Sequence, residues 1–448
     1  MPSGARRESW LDRLGLNRPE LRAWAMYDWA NSAFWTTVIA VVFPQYFARV
    51  AAADLPAGQA TSYFAWTSAL AVAVVAALAP VLGAIADYAA LKKRMLAVFI
   101  GIGVASTACL WFVDRGDWQW GLFLFVLGNI GAAGSITFSD SLLPHIAAPH
   151  EVDRVSSSAY AIGYLGGGLL LVVNTAWIAK PEWFGMPAGT FPARLSFVSV
   201  AVWWLAFSVP ILRRVTEPPA RREAGEDGSG SLLTAGFSRL GHTFRELRMY
   251  RQAFLLLVAF AIYNDGINTI IRMAGIYGAE IGLREDAILV SFIVVQAVGV
   301  PFSFMFGRIA HHIGAKRSVL GTLVVYAGIS VFGYFLSTGW QFFALAFMVG
   351  TVQGGSQALS RSLFASMIPR HKSSEFFAFF GIFEKFGAVL GPALFGVVAA
   401  ASGSSRPAIL AVILFFVVGG YLLARVDVEA GQRAARDAES AVGLGAPG

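Results

Sequence analysis

The sequence predicts an all-α membrane protein in which twelve transmembrane helices form two pseudo-symmetric six-helix bundles. The chain of 448 residues is 56% hydrophobic and only 14% charged, whereas soluble proteins carry about 25% charged residues. Apolar runs of about 20 residues recur along the chain, and each is long enough to cross a bilayer as a helix. A polar stretch at 213–251 separates the sixth run from the seventh.

The twelve apolar runs set the predicted helices and the organisation of the chain. The helices are expected at roughly 25–48, 61–86, 95–113, 119–143, 156–178, 194–212, 252–274, 286–307, 318–337, 340–366, 375–400 and 407–424. These runs leave a tail at 1–23, a first bundle at 24–212, a linker at 213–251, a second bundle at 252–424 and a tail at 425–448. In the linker, apolar residues spaced by three and four predict an amphipathic helix that lies on the membrane surface or docks a partner.

The distribution of basic residues predicts the orientation. Most of the 34 Lys and Arg residues fall in the two tails and in the loops on the side of the N-terminus. Such an excess marks the cytoplasmic side of a membrane protein. We therefore expect a protein of the cytoplasmic (inner) membrane with both termini in the cytoplasm. The same signal explains the net charge of +7 without a nucleic-acid partner.

Residue types that catalyse reactions or bind cofactors are not arranged for either purpose. The chain has one cysteine, Cys109, and its six histidines fall in predicted cytoplasmic segments rather than within spans. Neither a Walker motif nor a catalytic triad is found. The sequence therefore predicts no enzyme activity, no cofactor and no metal site.

Two loops repeat each other, one in each half. The first, "GAIADYAALKKR" (83–94), joins the second and third helices, and "GRIAHHIGAKR" (307–317) joins the eighth and ninth. Both begin with glycine and end in a basic cluster, but the second copy has His311 in place of Asp87. We interpret the loops as gating devices rather than substrate sites, and the residues assigned to them are Gly83, Asp87, Lys92, Lys93, Arg94, Gly307, Lys316 and Arg317.

Polar residues at matching places in the two halves form two further repeats. In the first helix of each half, "YDWANS" (27–32) corresponds to "YNDGINT" (263–269), and in the fourth helix of each half, "SDSLL" (139–143) corresponds to "SRSLF" (360–364). Residues three apart share one helix face, and ionisable groups within a span default to function. A structural role is the alternative. The candidates from these repeats are Asp28, Asn31, Asn264, Asp265, Asn268, Asp140 and Arg361.

Other polar residues within the spans complete the candidates for substrate or coupling contacts. Asp265 lies mid-span and is the leading candidate for proton coupling. Arg272 could bind a carboxylate substrate or reach water by snorkelling. Gln353 and Gln357 lie one helical turn apart, which suits a polar ligand and helix packing equally. Glu384, within the eleventh helix, is the last candidate.

The G-x-x-x-D-x-x-x-x-K-K-R pattern at 83–94 resembles the signature of the major facilitator superfamily. With "YDWANSAF" (27–34), "YNDGINTI" (263–270) and "GGSQALSRSLF" (354–364), the chain resembles the branch of vacuolar amino-acid effluxers of autophagy and their bacterial relatives. The resemblance implies two bundles that rock around a site near the midplane. The polar stripes of the first and seventh helices would then face each other, and an ion pair between Asp140 and Arg361 would close the inner gate.

The leading prediction is a secondary active transporter that works by alternating access. Its expected substrates are small polar solutes such as neutral amino acids, exported by a monomer in the lipid bilayer, with the proton as the candidate coupling ion. The alternative is an exporter of amphiphiles, drugs or lipids with the same architecture. A third hypothesis is a membrane sensor that does not transport, but the small size of the soluble segments disfavours it.

Overall fold

The structure is a computed structural model in which the residues described are 10–55, 63–64, 67, 70–71, 74–75, 82–83, 85–86, 90–218, 245–280, 285–402 and 405–441. Side chains at 272, 275–276, 278–280, 285–289, 385–389, 400 and 405 are outside the description. Two predicted features lie largely outside it: Asp87, and the linker helix apart from a helical turn at 245–249.

The described chain is helical and contains no strand, which confirms the predicted all-α membrane fold. The helices are α1 (Pro19–Ala51), α2 (helical positions between 63 and 86), α3 (Lys92–Phe112), α4 (Trp118–Ile146), α5 (Val152–Ala179), α6 (Phe191–Arg214), α7 (Arg251–Glu280), α8 (Glu285–Ile313), α9 (Ala315–Tyr334), α10 (Gly339–Ser366), α11 (Ser373–Ser402), α12 (Ser405–Ala411 and Ile413–Arg425) and α13 (Val428–Ala441).

Ten helices among the described residues are long and apolar enough to cross a membrane. The two remaining predicted spans are α2, which is described only in part, and α11, which is a continuous helix with an apolar segment at Leu390–Ala399. The first span begins at Pro19 rather than at 25. Proline is tolerated in the first turn of a helix because the N–H group that it lacks would have no partner there.

The two halves repeat one packing plan. In the first half α1 packs against α5 and α6, and α3 packs against α4 and α6. In the second half α7 packs against α11 and α12, and α9 packs against α10 and α12. The halves meet where α5 contacts α8 and α10 and where α4 contacts α11. The packing therefore shows the pseudo-symmetry that the sequence repeats predicted.

Both described chain ends lie on the same face of the molecule, which we call the terminal face. Near the N-terminus, Arg18 forms an ion pair with Glu151 in the α4–α5 loop. Near the C-terminus, Glu439 of α13 accepts a hydrogen bond from the backbone N–H of Arg370 in the α10–α11 loop at 2.9 Å. The α13 helix falls within the tail predicted at 425–448, where no helix was expected.

Candidate functional site: a buried charge cluster between the halves

One guanidinium group joins the two halves near the terminal face. Arg361 of α10 is only 3% exposed. It donates hydrogen bonds from Nη1 to Asp140 of α4 and from Nη2 to Asp28 of α1, both at 3.1 Å. It also donates from Nε to the hydroxyl of Ser156 on α5 at 2.9 Å and from Nη2 to the carbonyl of the same residue at 3.1 Å. The repeat comparison paired Asp140 with Arg361, and the structure shows the two in contact.

Two aromatic rings complete the surroundings of this guanidinium. The Arg361 Cζ atom lies 4.7 Å from the ring centroid of Trp24 and 4.4 Å from that of Tyr160. Trp24 of α1 is fully buried, and its indole N–H donates to the carbonyl of Ser139 on α4 at 2.8 Å. This hydrogen bond holds the ring against α4. A cation over an aromatic face is attracted by the ring quadrupole.

The described residues that hold Arg361 by hydrogen bonds or ring contacts belong to the first half of the chain. We call this set the Arg361 socket, and its members are Trp24, Asp28, Asp140, Ser156 and Tyr160. The halves cannot separate at the terminal face unless the guanidinium leaves the socket. These contacts therefore hold the two halves together at the terminal face.

The acidic side chains around the Arg361 guanidinium outnumber it. The socket contributes two carboxylates to one guanidinium, and Glu384 of α11 lies within electrostatic reach of Asp140. The Asp28 side chain is 18% exposed and that of Asp140 is 9% exposed. Asp28, predicted to be a substrate or coupling residue, is therefore the more accessible carboxylate beside Arg361.

A second layer of contacts crosses between the halves at the ends of α3, α4 and α11. Lys92 is 3% exposed, and its ammonium donates to the hydroxyl of Ser373 at 2.6 Å and lies 3.0 Å from Nε2 of His145. Ser373 donates in turn to the carbonyl of Ser141 at 2.8 Å. Lys92, expected to gate, thus bridges α3 to the start of α11.

The glycines of the repeated loops allow two close approaches between the halves. A Cβ on Gly83 would lie 2.7 Å from the carbonyl oxygen of Ser374 at the start of α11. A Cβ on Gly307 would lie 3.1 Å from Cβ of Ser157 near the start of α5. The two loops therefore pack each half against the opposite half in matching ways, which explains why glycine is found at both positions.

The basic residues of the two loops do not act alike. Lys92 and Lys316 each stand nine residues after the glycine, but Lys316 stays in its own half, where it donates to the carbonyls of Ala424 and Val426 at 2.8 Å and so caps α12. The Lys93 backbone N–H donates to Glu217 at 2.9 Å. Arg94 and Arg317 are exposed to the surroundings of the protein. Only the first copy places an ammonium across the interface.

The polar stripes of α1 and α7 each pack against a helix of their own half. Asp265 is fully buried and accepts a hydrogen bond from the backbone N–H of Gly391 on α11 at 2.7 Å. A Cβ on Gly391 would lie 1.9 Å from the Thr269 hydroxyl oxygen. In the first half, a Cβ on Gly163 of α5 would lie 2.7 Å from the Ser32 hydroxyl oxygen. In each half, the repeated stripe packs against a glycine of the fifth helix.

The asparagines of these stripes have different surroundings. Asn31 is 3% exposed and bonds within α1, donating to the Tyr27 hydroxyl at 3.1 Å and accepting from the Trp35 indole N–H at 2.6 Å. Asn264 is 1% exposed, and neither polar atom of its amide is hydrogen-bonded to the described residues. Asn268, one turn further along α7, is partly exposed.

A cavity borders this face of α7. It is an open hollow of about 390 Å³ between α7, α8 and α10, and its lining includes Ile271, Val295, Val349 and Gln353. Most of the lining is apolar, and Gln353 contributes its amide. Gln357, one turn further along α10, is partly exposed. The side chain of Arg272 lies outside the description.

Two ion pairs on the face opposite the terminal face each join residues of the first half. Arg115 pairs with Asp54 at 2.7 Å, and Arg194 pairs with Asp114 at 2.5 Å. The hydrogen bond from Arg194 lowers the pKa of the Asp114 carboxyl, which is exposed in the α3–α4 loop. These pairs join the α3–α4 loop to Asp54 after α1 and to the start of α6. The Arg361 socket and Lys92, in contrast, join the two halves at the terminal face.

Sequence reasoning missed three members of the Arg361 socket. Trp24, Ser156 and Tyr160 carry no signal by themselves, because aromatic and serine side chains are frequent within the spans of helical membrane proteins. One signal was available: Ser156 opens the run Ser156–Ser157–Ser158 at the start of α5, and all three are buried.

Comparison with known proteins places the chain in a family. The family model described as "Vacuole effluxer Atg22 like" matches residues 55–436. An uncharacterized MFS-type transporter of Bacillus subtilis (strain 168), YxiO, is 36% identical over 409 residues, which cover 91% of this chain and 94% of the relative. Autophagy-related protein 22 of Yarrowia lipolytica is 27% identical over 64% of this chain. This chain covers about half of that fungal relative, 52%.

Solved structures share the fold. The transporter FucP in its outward conformation superposes with a TM-score of 0.66 at 13% identity, covering 92% of this chain and 99% of FucP. The proton:xylose symporter XylE gives a TM-score of 0.66 at 14% identity, covering 91% of this chain and 95% of XylE. The protein is thus a multi-pass membrane transporter of the major facilitator superfamily, and it belongs to the family of Atg22-like vacuole effluxers.

Proposed function

We propose that this protein is a secondary transporter that moves small polar solutes by alternating access, with the Arg361 socket as its gate at the terminal face. The observation that carries the proposal is the buried guanidinium of one half, bound by five residues of the other half. Rocking the halves apart at this face would take Arg361 out of the socket and expose the path between them.

Proton binding in the socket is suited to couple the rocking of the two halves to a proton gradient. While Arg361 occupies the socket, two carboxylates share one guanidinium. Once it leaves, both carboxylates lack their counter-charge, and an uncompensated buried charge is costly. Proton binding to this pair of carboxylates would offset that cost, and Asp28, the more exposed of the two, is the one that a proton can reach from water. Coupling is therefore assigned to Asp28 rather than to Asp265, whose carboxylate holds α7 against α11.

Neutral amino acids are the proposed substrates, and export is the proposed direction. The family description names effluxers, and the partly exposed amides of Gln353 and Gln357 on α10 offer donors and acceptors to a polar solute. The excess of basic residues on the terminal face supports an orientation with both termini in the cytoplasm, in the cytoplasmic membrane. A single chain of two bundles suffices for the path, so a monomer is proposed.

The test is uptake of labelled neutral amino acids into proteoliposomes, with and without an imposed proton gradient. Wild type is compared with Asp28→Asn, and Asp54→Asn is the matched control because Asp54 forms an exposed ion pair within one half. Gradient-driven accumulation that Asp28→Asn loses and Asp54→Asn retains is the expected result. Absence of flux for every amino acid tested would reject the substrate, and equal accumulation without a gradient would reject proton coupling.

A second candidate function is the export of amphiphiles, and one observation favours it. The cavity between α7, α8 and α10 is mostly apolar and would accommodate a hydrophobic group. Substituting Gln353 and Gln357 by Leu separates the two functions. Transport of a polar solute should fall in this variant, whereas transport of an amphiphile held by the apolar wall should persist.

A further inference from the structure

The Arg361 socket is a preformed cation-binding site that its own protein occupies. Its walls come from α1, α4 and α5, and they are held together within the first half. Trp24 is fixed by its hydrogen bond to the Ser139 carbonyl at 2.8 Å. Close packing of Gly163 against Ser32 holds α5 to α1 beside Asp28. Trp24 and the contact between α1 and α5 therefore keep their places when α10 withdraws, and the Ser156 hydroxyl gives up its hydrogen bond to the Ala358 carbonyl of α10.

We propose that the vacated socket binds the ammonium or guanidinium group of the transported solute, so that Arg361 and the solute compete for one site. This inference rests on the proposed alternating access, because only the rocking motion empties the socket. In the state described, Arg361 fills the site and keeps the terminal face closed. In the state open at that face, the solute's cationic group takes its place.

The chemistry of the walls selects an organic cation. Two carboxylates supply acceptors and negative charge, and two aromatic faces lie 4.4 and 4.7 Å from the bound carbon. Rings and carboxylates together form the arrangement that proteins use to bind ammonium groups. A proton alone would neutralise one carboxylate but would leave both rings without a cation. A small inorganic cation would use the oxygen atoms and gain less from the rings.

The socket would recognise the amino group of an amino acid rather than its carboxylate. Among the described residues, Arg361 is the basic side chain that pairs with the socket, and it departs with the other half. A carboxylate therefore meets two like charges at this site, whereas an amino group meets complementary ones. Amines that lack a carboxylate should bind, and carboxylic acids that lack an amine should not.

The first arm of the test is chemical rescue in the purified full-length protein. Arg361→Ala empties the socket, and the midpoint of thermal unfolding should fall. Methylguanidinium chloride at low millimolar concentration should recover at least half of that fall, and potassium chloride of equal ionic strength should recover none. The matched control is Arg361→Ala combined with Asp28→Asn and Asp140→Asn, which should show no recovery.

The rescue arm has three contrary outcomes. Absence of recovery, or equal recovery in the control without carboxylates, would overturn the proposal. Recovery on acidification alone, with no effect of methylguanidinium, would assign the socket to protons and likewise overturn it. If Arg361→Ala cannot be purified, the second arm decides, because it uses only the wild-type protein.

The second arm measures competition in proteoliposomes that exchange labelled norvaline. The competitors are the two halves of that molecule: n-butylammonium, which keeps the amine, and n-pentanoate, which keeps the acid. We expect n-butylammonium to inhibit exchange at concentrations where n-pentanoate has no effect. The reverse order would overturn the proposal. If no amino acid is exchanged at all, the proposed substrate fails, and the rescue arm still decides whether the socket binds cations.

Discussion

Arg361 donates hydrogen bonds from three different nitrogen atoms, and this geometry makes it irreplaceable by lysine. Its planar group reaches Asp28, Asp140 and Ser156 at once, whereas a lysine ammonium is a single point charge on a flexible stem. The ion pair between Arg361 and Asp140 is also buried. Dissolved salt therefore screens it less than it screens ion pairs on the protein surface.

Replacing Arg361 by Lys should therefore destabilise the protein although the charge is kept. The loss should be about 1.5–3 kcal/mol for each hydrogen bond to a carboxylate that lysine cannot make. Arg115→Lys is the matched control, because Arg115 and Asp54 are 70% and 56% exposed and surface pairs contribute about 0–1 kcal/mol. The midpoint of thermal unfolding in detergent measures both. Equal shifts in the two variants would contradict the account.

Gly391 should be intolerant of even one methyl group. In Gly391→Ala the added Cβ would lie 1.9 Å from the Thr269 hydroxyl oxygen, so α7 and α11 must separate and the bond from the Gly391 N–H to Asp265 must lengthen. Overpacking of this kind costs about 1–3 kcal/mol. Gly396→Ala on the same helix meets nothing within 4 Å and should be neutral or mildly stabilising. Matching unfolding midpoints for the two variants would reject this explanation.

Single residues show what could and could not be predicted from the sequence. Asp140 and Arg361 were paired because equivalent positions near a pseudo-symmetry axis come close to each other, and aligning "SDSLL" with "SRSLF" finds such positions. Asp265 stays a candidate for coupling that the sequence alone suggests, but the sequence does not show which helix faces it. The structure places Gly391 there, and a carboxylate that bonds a neighbouring helix follows the same Asp-x-x-Asn pattern as one that binds a solute.

At the scale of helices, α13 is the element that the sequence did not reveal. Its residues 428–441 are mostly polar or small, so hydropathy gives no signal, and its buried face consists of Gly431 and Ala435. The helix packs against α7 and α10. Gly431 is suited to this contact, because a Cβ there would lie 2.6 Å from Sδ of Met367.

Replacing Gly431 by Leu should therefore lift α13 from the terminal face. The measurement is maleimide labelling of a cysteine placed at Ala435, which is 4% exposed, in a background in which Cys109 is replaced by Ser. Labelling should be slow with Gly431 present and fast in the Leu variant. A cysteine at the exposed Arg436 should label quickly in both. Slow labelling of position 435 in both backgrounds would show that the helix tolerates the larger side chain.

The whole molecule has one orientation in the membrane, and its basic residues predict which. The terminal face should lie in the cytoplasm, because Lys and Arg are concentrated there. A cysteine at His150, exposed in the α4–α5 loop, should react with an impermeant maleimide only after cells are permeabilised. A cysteine at Trp183, which is 76% exposed beyond the end of α5, should react in intact cells. The opposite pattern would show that the terminal face lies outside the cytoplasm, and the proposed side of the gate would then be wrong.

The fold at this scale was the most predictable part of the molecule. Apolar runs, a polar linker and repeated motifs are properties of the chain alone, and together they predicted two equivalent bundles. The state of the path was not predictable, because opening or closing leaves every span intact. It depends on contacts between residues more than 200 positions apart, such as Ser156 and Arg361.

Arg361 joins the two halves at the terminal face through its contacts with the socket. The most direct test is a distance measurement by electron spin resonance between labels at position 150 on the first half and position 312 on the second, both exposed, with Cys109 replaced by Ser. The account predicts one short distance with Arg361 present and a shift of population to longer distances in Arg361→Ala. The same distribution in both proteins would contradict it.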